Sequence, residues 1–383
     1  LSEKVKKNYT NGSLKFSLPN KKLINDVDII FVCVGTPNDG SGKTDLSQLN
    51  SFIDFFLENV TSEKILVLRS TIPVGTCSNL RKRLDAESSL NHMICSNPEF
   101  TKEGDAIYDF ENPDRVIIGI PPSEELKQKF ISLYKPFISK EKIIFMSTES
   151  SELTKYASNA FLATKVSFIN DMARFADKTE ANINDISLGM GLDPRIGSSF
   201  LNAGLGYGGS CFPKDTISLV NQALSYGESL NVLEGTVKTN NHQIRYFHDL
   251  ILNYFIKNNL KKCITILGLS FKPNTDDVRE SRGILLHKML TDSGFDIKSF
   301  DPMILNSLDI SIEYTNNLTD ALKSSNALVI AVEDDKYKKI DPELLKKNGI
   351  KVIFDGRNLL EEKDKKMKGI DYIGIGVDKN LSD

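Results

Sequence analysis

Two blocks of this chain alternate short β-branched runs with amphipathic segments, and that alternation restricts the fold more tightly than any other feature. Residues 27–34, 65–68, 93–96, 116–120 and 143–146 are apolar and strand-length, while 46–58, 76–84 and 124–134 between them carry helix-spaced apolar positions. Continuous apolar strands separated by helices call for a parallel sheet covered on both faces. The pattern resumes at 264–268 and continues through 296–300, 327–332, 351–355 and 372–375. Between the blocks, 149–258 reads as helical, with a glycine-rich interruption at 203–209 and no convincing strand. The expected class is α/β, two sheet units joined by a helical middle, divided at 1–148, 149–258 and 259–383.

Charge and cysteine content narrow the function. With 48 Lys+Arg against 51 Asp+Glu, the formal charge of −3 provides no global basic field for nucleic acid. The longest apolar runs, 29–34 and 327–332, are far short of the roughly 18–20 residues of a membrane helix. Five cysteines at 33, 77, 95, 211 and 263, an odd number without a CxxC pair, fit neither a disulfide framework nor a zinc site, so no metal is expected and a reducing cytoplasm is the default location. The chain opens at Leu1 in a charged segment with neither the apolar stretch nor the cleavage site of a signal peptide. The Lys/Glu-rich stretch 361–368 reads as solvated.

Four places carry chemistry. Cys211 lies in Tyr-Gly-Gly-Ser-Cys-Phe-Pro-Lys-Asp (207–215), where Gly208 and Gly209 permit close approach of a ligand and Lys214 and Asp215 bring charge near a thiol. A nucleophile and an inert buried thiol both fit that spacing, and the inert reading applies to the other four cysteines. Glu152, Lys155 and Asn159 recur at i, i+3 and i+7, one helix face that suits either oxyanion stabilisation or an ordinary exposed ion pair. The segment 97–104 follows a strand and sets Glu99 and Glu103 four residues apart, suited to sugar binding or general base work. Three further stretches, 34–37, 70–76 and 266–281, are polar loops after strands, where ligands of open α/β sheets bind, with Lys272 and Arg279 available to phosphate. Glycines 204, 206 and 209 match G-x-G-x-x-G in spacing, but no strand leads into them, so the match is a decoy.

In combination and in order, these motifs resemble the UDP-glucose 6-dehydrogenase family of nucleotide-sugar dehydrogenases over nearly the whole chain. The resemblance rests on Val-Gly-Thr-Pro (34–37), Ser-Thr-Ile-Pro-Val-Gly-Thr (70–76), Asn-Pro-Glu-Phe-x-x-Glu-Gly (97–104), Pro-Asp-Arg-Val-Ile-Ile-Gly (113–119), Glu-x-x-Lys-x-x-x-Asn (152–159), Asp-Pro-Arg-Ile-Gly (193–197), Gly-Tyr-Gly-Gly-Ser-Cys-Phe-Pro-Lys-Asp (206–215) and Phe-Lys-Pro-Asn-Thr-Asp-Asp-Val-Arg-Glu-Ser (271–281). It implies two Rossmann-like domains about a helical central dimerisation domain, and a two-step oxidation of a UDP-sugar alcohol by NAD through a thiohemiacetal and a thioester on Cys211. By the same resemblance Lys155 and Asn159 stabilise oxyanions, Asp215 and Thr71 position a water, and Glu103 is the base for thioester hydrolysis. Glu99, Lys155, Phe200, Tyr207, Gly208, Phe271, Lys272 and Arg357 would contact the substrate, and Arg195 would reach a neighbouring subunit's site in a homodimer. Thr36, Thr71, Glu103, Lys214 and Arg279 would contact NAD.

The family also opens with a strand and a Gly-x-Gly-Tyr-Val-Gly turn that seats the NAD pyrophosphate on a helix N-terminus. No such turn precedes Asp26, so the first block reads as incomplete at its N-terminal side. The leading expectation is oxidation of UDP-glucose to UDP-glucuronate, with UDP-glucose as the partner molecule and neither nucleic acid nor membrane. The alternatives are another nucleotide sugar, GDP-mannose or a UDP-N-acetylhexosamine, and a catalytically silent nucleotide-sugar binder.

Overall fold

A computed structural model describes residues 1–304 and 312–377, and it divides into two compact units, Leu1–Ser158 and Asn159–Asp383. The first contains α1 (Ser2–Thr10), α2 (Lys21–Asn25), β1 (Ile29–Val32), α3 (Ser47–Asn59), β2 (Ile65–Leu68), α4 (Thr76–Glu87), β3 (Met93–Ser96), α5 (Ala106–Glu111), β4 (Val116–Gly119), α6 (Glu124–Tyr134) and β5 (Ile143–Met146). The long helix α7 (Thr148–Ala176) begins in this unit. The second unit continues with α8 (Ile183–Gly191), α9 (Phe212–Ser225), α10 (Asn231–Lys257), β6 (Cys263–Leu267), α11 (Arg282–Asp292), β7 (Asp296–Phe300) and β8 (Tyr314–Thr315). It closes with α12 (Leu318–Leu322), β9 (Ala327–Ile330), α13 (Pro342–Lys347), β10 (Val352–Asp355), α14 (Glu362–Lys365) and β11 (Asp371–Ile373).

Strand order in the first unit is β1-β2-β3-β4-β5. Alternate residues of β2 serve opposite faces, as a pleat requires. Leu66 and Leu68 join Leu49, Ile53 and Phe56 of α3, whereas Ile65 and Val67 join Phe130 and Tyr134 of α6. Each such buried side chain is worth roughly 1.5–3 kcal/mol against leaving it in water. Expectation and structure differ at one point, for β4 meets β3 antiparallel, through Ser96↔Gly119, while the other pairs are parallel. The connection from 97 to 115 carries only the six-residue α5, too little for a right-handed crossover, and β4 returns instead of crossing. Gly119 is required there, because a Cβ would lie 2.6 Å from Cβ of Ser151 in α7.

In the second unit the order is β11-β10-β9-β6-β7-β8, and every pair is parallel. The chain moves outward from β6 in one direction and returns to build β9, β10 and β11 on the other side, so the order reverses between β6 and β9. Part of the helical middle shares a core with this sheet. Phe247, Ile251 and Phe255 of α10 and Ile169 and Ala173 of α7 pack in one cluster with Ile264, Ile266, Val329 and Phe354 of the sheet.

Two smaller expectations are corrected. Cys33 is exposed, because it lies at the carboxyl end of edge strand β1, whereas Cys77, Cys95 and Cys263 are buried as anticipated. The 361–368 stretch is not wholly solvated, since Lys365 is buried with its Nζ 5.3 Å from the Tyr372 ring centroid. Among the described residues no helix is long and apolar enough to cross a membrane.

Candidate active site

In the first unit the polar loops after β1 and β2 are tied together. Thr36 Oγ1 donates to the Thr71 carbonyl at 2.8 Å, and Ser70 Oγ donates to the Val34 carbonyl at 2.6 Å. Helix α4 starts from Gly75 at φ 91° and has no capping side chain of its own. Glu152 supplies the cap from α7, its carboxylate accepting from the Gly75 amide at 2.6 Å and the Cys77 amide at 2.8 Å. Burial pushes the Glu152 carboxyl up, against the lowering effect of those amides. Glu152, Lys155 and Asn159 are all buried, which removes the exposed ion-pair alternative for this face.

Loop 97–104 is fixed at its start by buried Asn97, whose Nδ2 donates to the Ile117 carbonyl and whose Oδ1 accepts from Arg69, both at 2.8 Å. Glu99 accepts from the Thr101 amide at 2.7 Å and hydroxyl at 2.5 Å. Lys155 Nζ donates to the Glu99 carbonyl at 2.6 Å and lies 3.3 Å from its carboxylate. Burial alone would raise the Glu99 carboxyl; the Lys155 ammonium and the Thr101 donors outweigh it and hold the group below the ordinary carboxylate range. The Phe100 ring takes two cations, Lys155 Nζ at 5.3 Å and the Arg115 guanidinium at 4.0 Å from its centroid. Glu103 is half-buried in the same loop.

In the second unit, Cys211 is exposed at the N-cap of α9, and Pro213 starts the helix behind it. One turn in, buried Asp215 is held from two sides. Asn159 Nδ2 donates to one carboxylate oxygen and Lys214 Nζ to the other, each at 2.6 Å. The lysine expected at the cofactor thus has its ammonium committed to Asp215. Phe200, at φ 64°, and buried Tyr207 both pack on Phe212, with ring centroids 6.0 and 6.1 Å away.

The 204–209 loop is pinned by amides that the sequence reading passed over. Asn170 Oδ1 accepts from the Gly204 amide at 2.8 Å, Gln243 Nε2 donates to the Gly204 carbonyl at 2.8 Å, and Asn240 Oδ1 accepts from the Tyr207 amide at 2.7 Å. Their only signal in sequence is a polar residue on an otherwise apolar face of a long helix. The three glycines of the decoy spacing leave no room for a methyl. A Cβ on Gly204 would lie 2.5 Å from Arg357 Nη1, one on Gly206 2.4 Å from Asn240 Oδ1, and one on Gly209 2.6 Å from the Phe271 ring; the adjoining Gly208 is as tight, 2.3 Å from the Glu280 carbonyl.

Phe271 and Lys272 follow β6 in a loop organised by Asp301, also missed in the sequence. Its buried carboxylate accepts from the Leu269 and Ser270 amides, both at 2.8 Å. Asp355 does the same after β10, accepting from the Arg357 amide at 3.1 Å and the Leu360 amide at 2.9 Å. Phe271, Lys272 and Arg357 line one cleft with Arg282 and Glu333. The side chains of Arg195 and Arg279 do not line that cleft, although the Arg279 carbonyl accepts from the Gly209 amide at 3.1 Å. Each is exposed and paired to its own loop, Arg195 to Asp193 and Arg279 to Asp277.

Models of three consecutive domains match the chain: an NAD binding domain over residues 1–138, a central domain over 149–242 and a UDP binding domain over 265–362, all of one family. A UDP-glucose 6-dehydrogenase of Rickettsia conorii is 38% identical over 98% of this chain and 88% of its own length. The chain belongs to the UDP-glucose/GDP-mannose dehydrogenase family. Another relative, the Bacillus subtilis UDP-glucose 6-dehydrogenase YwqF, is 37% identical over 98% of this chain and 86% of its own length. The solved structure of a UDP-glucose dehydrogenase from Pyrobaculum islandicum superposes with a TM-score of 0.87 at 31% identity, covering 97% of this chain and 85% of that one. Cys211, Lys155, Asn159 and Asp215 lie within the family's central domain, and the cleft of Lys272 and Arg357 lies within its UDP binding domain.

Proposed function

We propose that this chain oxidises the C6 alcohol of UDP-glucose to the carboxylate of UDP-glucuronate in two NAD-dependent steps, with Cys211 as the covalent nucleophile. Its relatives at 37–38% identity carry that activity in their names, and the family's NAD binding domain spans residues 1–138. NAD+, when bound, accepts a hydride from the sugar carbon in each oxidation. The loops joined by the Thr36–Thr71 hydrogen bond occupy the carboxyl ends of β1 and β2, where such sheets hold nucleotides, and suit contacts to it.

The carrying observation is the contrast within α9. An exposed thiol stands at its N-cap, and four residues on a buried carboxylate is fixed by Asn159 and Lys214. The first oxidation leaves an aldehyde. The Cys211 sulfur bonds to its carbon as the carbonyl π bond breaks, a proton equivalent to that of the thiol ends on the former carbonyl oxygen, and a thiohemiacetal results. Loss of the second hydride from that carbon and of the proton from its hydroxyl gives a thioester, and water then breaks the C–S bond, returning the thiol and releasing the acid. Lys155 and Asn159, one turn apart on α7, take the oxyanion-stabilising role, Asp215 and Thr71 position the water, and Glu103 removes its proton. Glu99 holds both Lys155 and the sugar.

The functional segments are 1–148 for NAD, 149–258 for catalysis and association, and 259–383 for UDP. Phe161, Phe168 and Phe175 of α7 repeat every seven residues and are 66, 46 and 66% exposed. A heptad stripe of exposed aromatics on a 29-residue helix supports a homodimer through α7, with the exposed Arg195 reaching the neighbouring site. The reducing cytoplasm suits a free catalytic thiol. The test of the reaction is Cys211→Ser with UDP-glucose and NAD. UDP-glucuronate release drops by at least about 10³-fold, in line with loss of a covalent nucleophile; undiminished turnover would sink the mechanism.

A further inference from the structure

We propose that Arg282 is a phosphate-binding residue, gripping the diphosphate of the nucleotide sugar together with Lys272 and Arg357; the proposal rests on the nucleotide-sugar reading above. Arg282 is the first residue of α11, capped by Ser281, whose hydroxyl accepts from the Ile284 amide. It lines the cleft at the carboxyl ends of β6, β9 and β10. Sheet order reverses there, between β6 and β9, and open α/β sheets bind their ligands at such a reversal.

The charge count in the cleft favours an anion. Lys272, Arg282 and Arg357 line it with one carboxylate, Glu333, and that carboxylate is already paired with Arg357 at 3.0 Å. Among the described residues Arg282 makes one hydrogen bond, from Nε to the Tyr207 carbonyl at 2.6 Å, and no ion pair. Burial lowers its pKa despite the partial compensation from Tyr207 and Glu280. An arginine does not shed its proton, so a partly desolvated guanidinium with no carboxylate hydrogen-bonded to it costs stability until an anion arrives. A second group reports the same deficit independently, since Arg357 Nε is buried without any partner.

The guanidinium fork explains why an arginine serves at this position. One edge is spent on the Tyr207 carbonyl, and the terminal amino groups suit bidentate contact with phosphoryl oxygens. The positive end of the α11 dipole adds to the attraction. Because Tyr207 lies four residues before Cys211, the same side chain links the diphosphate to the loop that carries the nucleophile.

The experiment compares UDP with uridine, by calorimetry and NMR titration, on the full chain and on Arg282→Gln and Arg282→Lys. Arg282→Gln weakens UDP binding about 10-fold or more, as expected for lost charge-assisted hydrogen bonds, and leaves uridine within 2-fold. Arg282→Lys, which keeps the charge without the fork, falls between. Equal weakening of UDP and uridine would show that Arg282 merely supports the loop and would overturn the proposal, as would unchanged UDP affinity. If the unmodified chain binds no UDP, the nucleotide-sugar reading itself fails, and this inference with it.

Discussion

Single side chains in this molecule do their work through partners distant in sequence, and their acid–base behaviour follows. His287 of α11 is buried against Ser299, 2.8 Å from its hydroxyl, and burial, aided by Lys288, brings its pKa down to about 4 from 6.5. Between those values the unfolded chain binds a proton that the folded chain refuses, so stability is full above pH 6.5 and declines as the pH falls toward 4. The slope is at most about 1.4 kcal/mol per pH unit. Urea midpoints at pH 7, 6 and 5 check this, and His287→Gln flattens the decline. The carboxyl of Glu99, held low by Lys155, loses its contribution only below its unfolded value of 4.5, so the two groups act in adjacent windows.

Helices and strands were legible to different degrees. The β-branched runs revealed nearly every strand, because a doubly covered strand must be apolar throughout. The two-residue β8 has no such run, and the reversal of β4 depends on how little helix lies between 97 and 115. The face of Glu152, Lys155 and Asn159 was visible as a face, but the division of labour on it was not. Glu152 caps α4 across 77 and 75 positions, Lys155 holds Glu99 across 56, and Asn159 holds Asp215 across 56. Helical periodicity carries no record of such partners. Glu152→Ala leaves two amides of the α4 N-terminus without an acceptor and costs about 1–2 kcal/mol, read from the shift in denaturation midpoint. Glu152→Gln, which retains an acceptor oxygen, costs less.

At the scale of the whole molecule, the sequence disclosed two sheets and a helical middle, but not that part of the middle shares a core with the second sheet. That sharing turns the apolar side of α10 inward, and the phenylalanines of α7 remain as an exposed stripe. Phe168→Glu places a charge in the middle of that stripe and weakens the proposed self-association about 100-fold or more, measured by sedimentation velocity across a concentration series. The close approaches at Gly208 and Gly209 have a mechanical consequence. With the Glu280 carbonyl and the Phe271 ring standing within a methyl's width of the backbone, the thiol loop and the nucleotide turn mesh like gear teeth. Neither can advance without displacing the other.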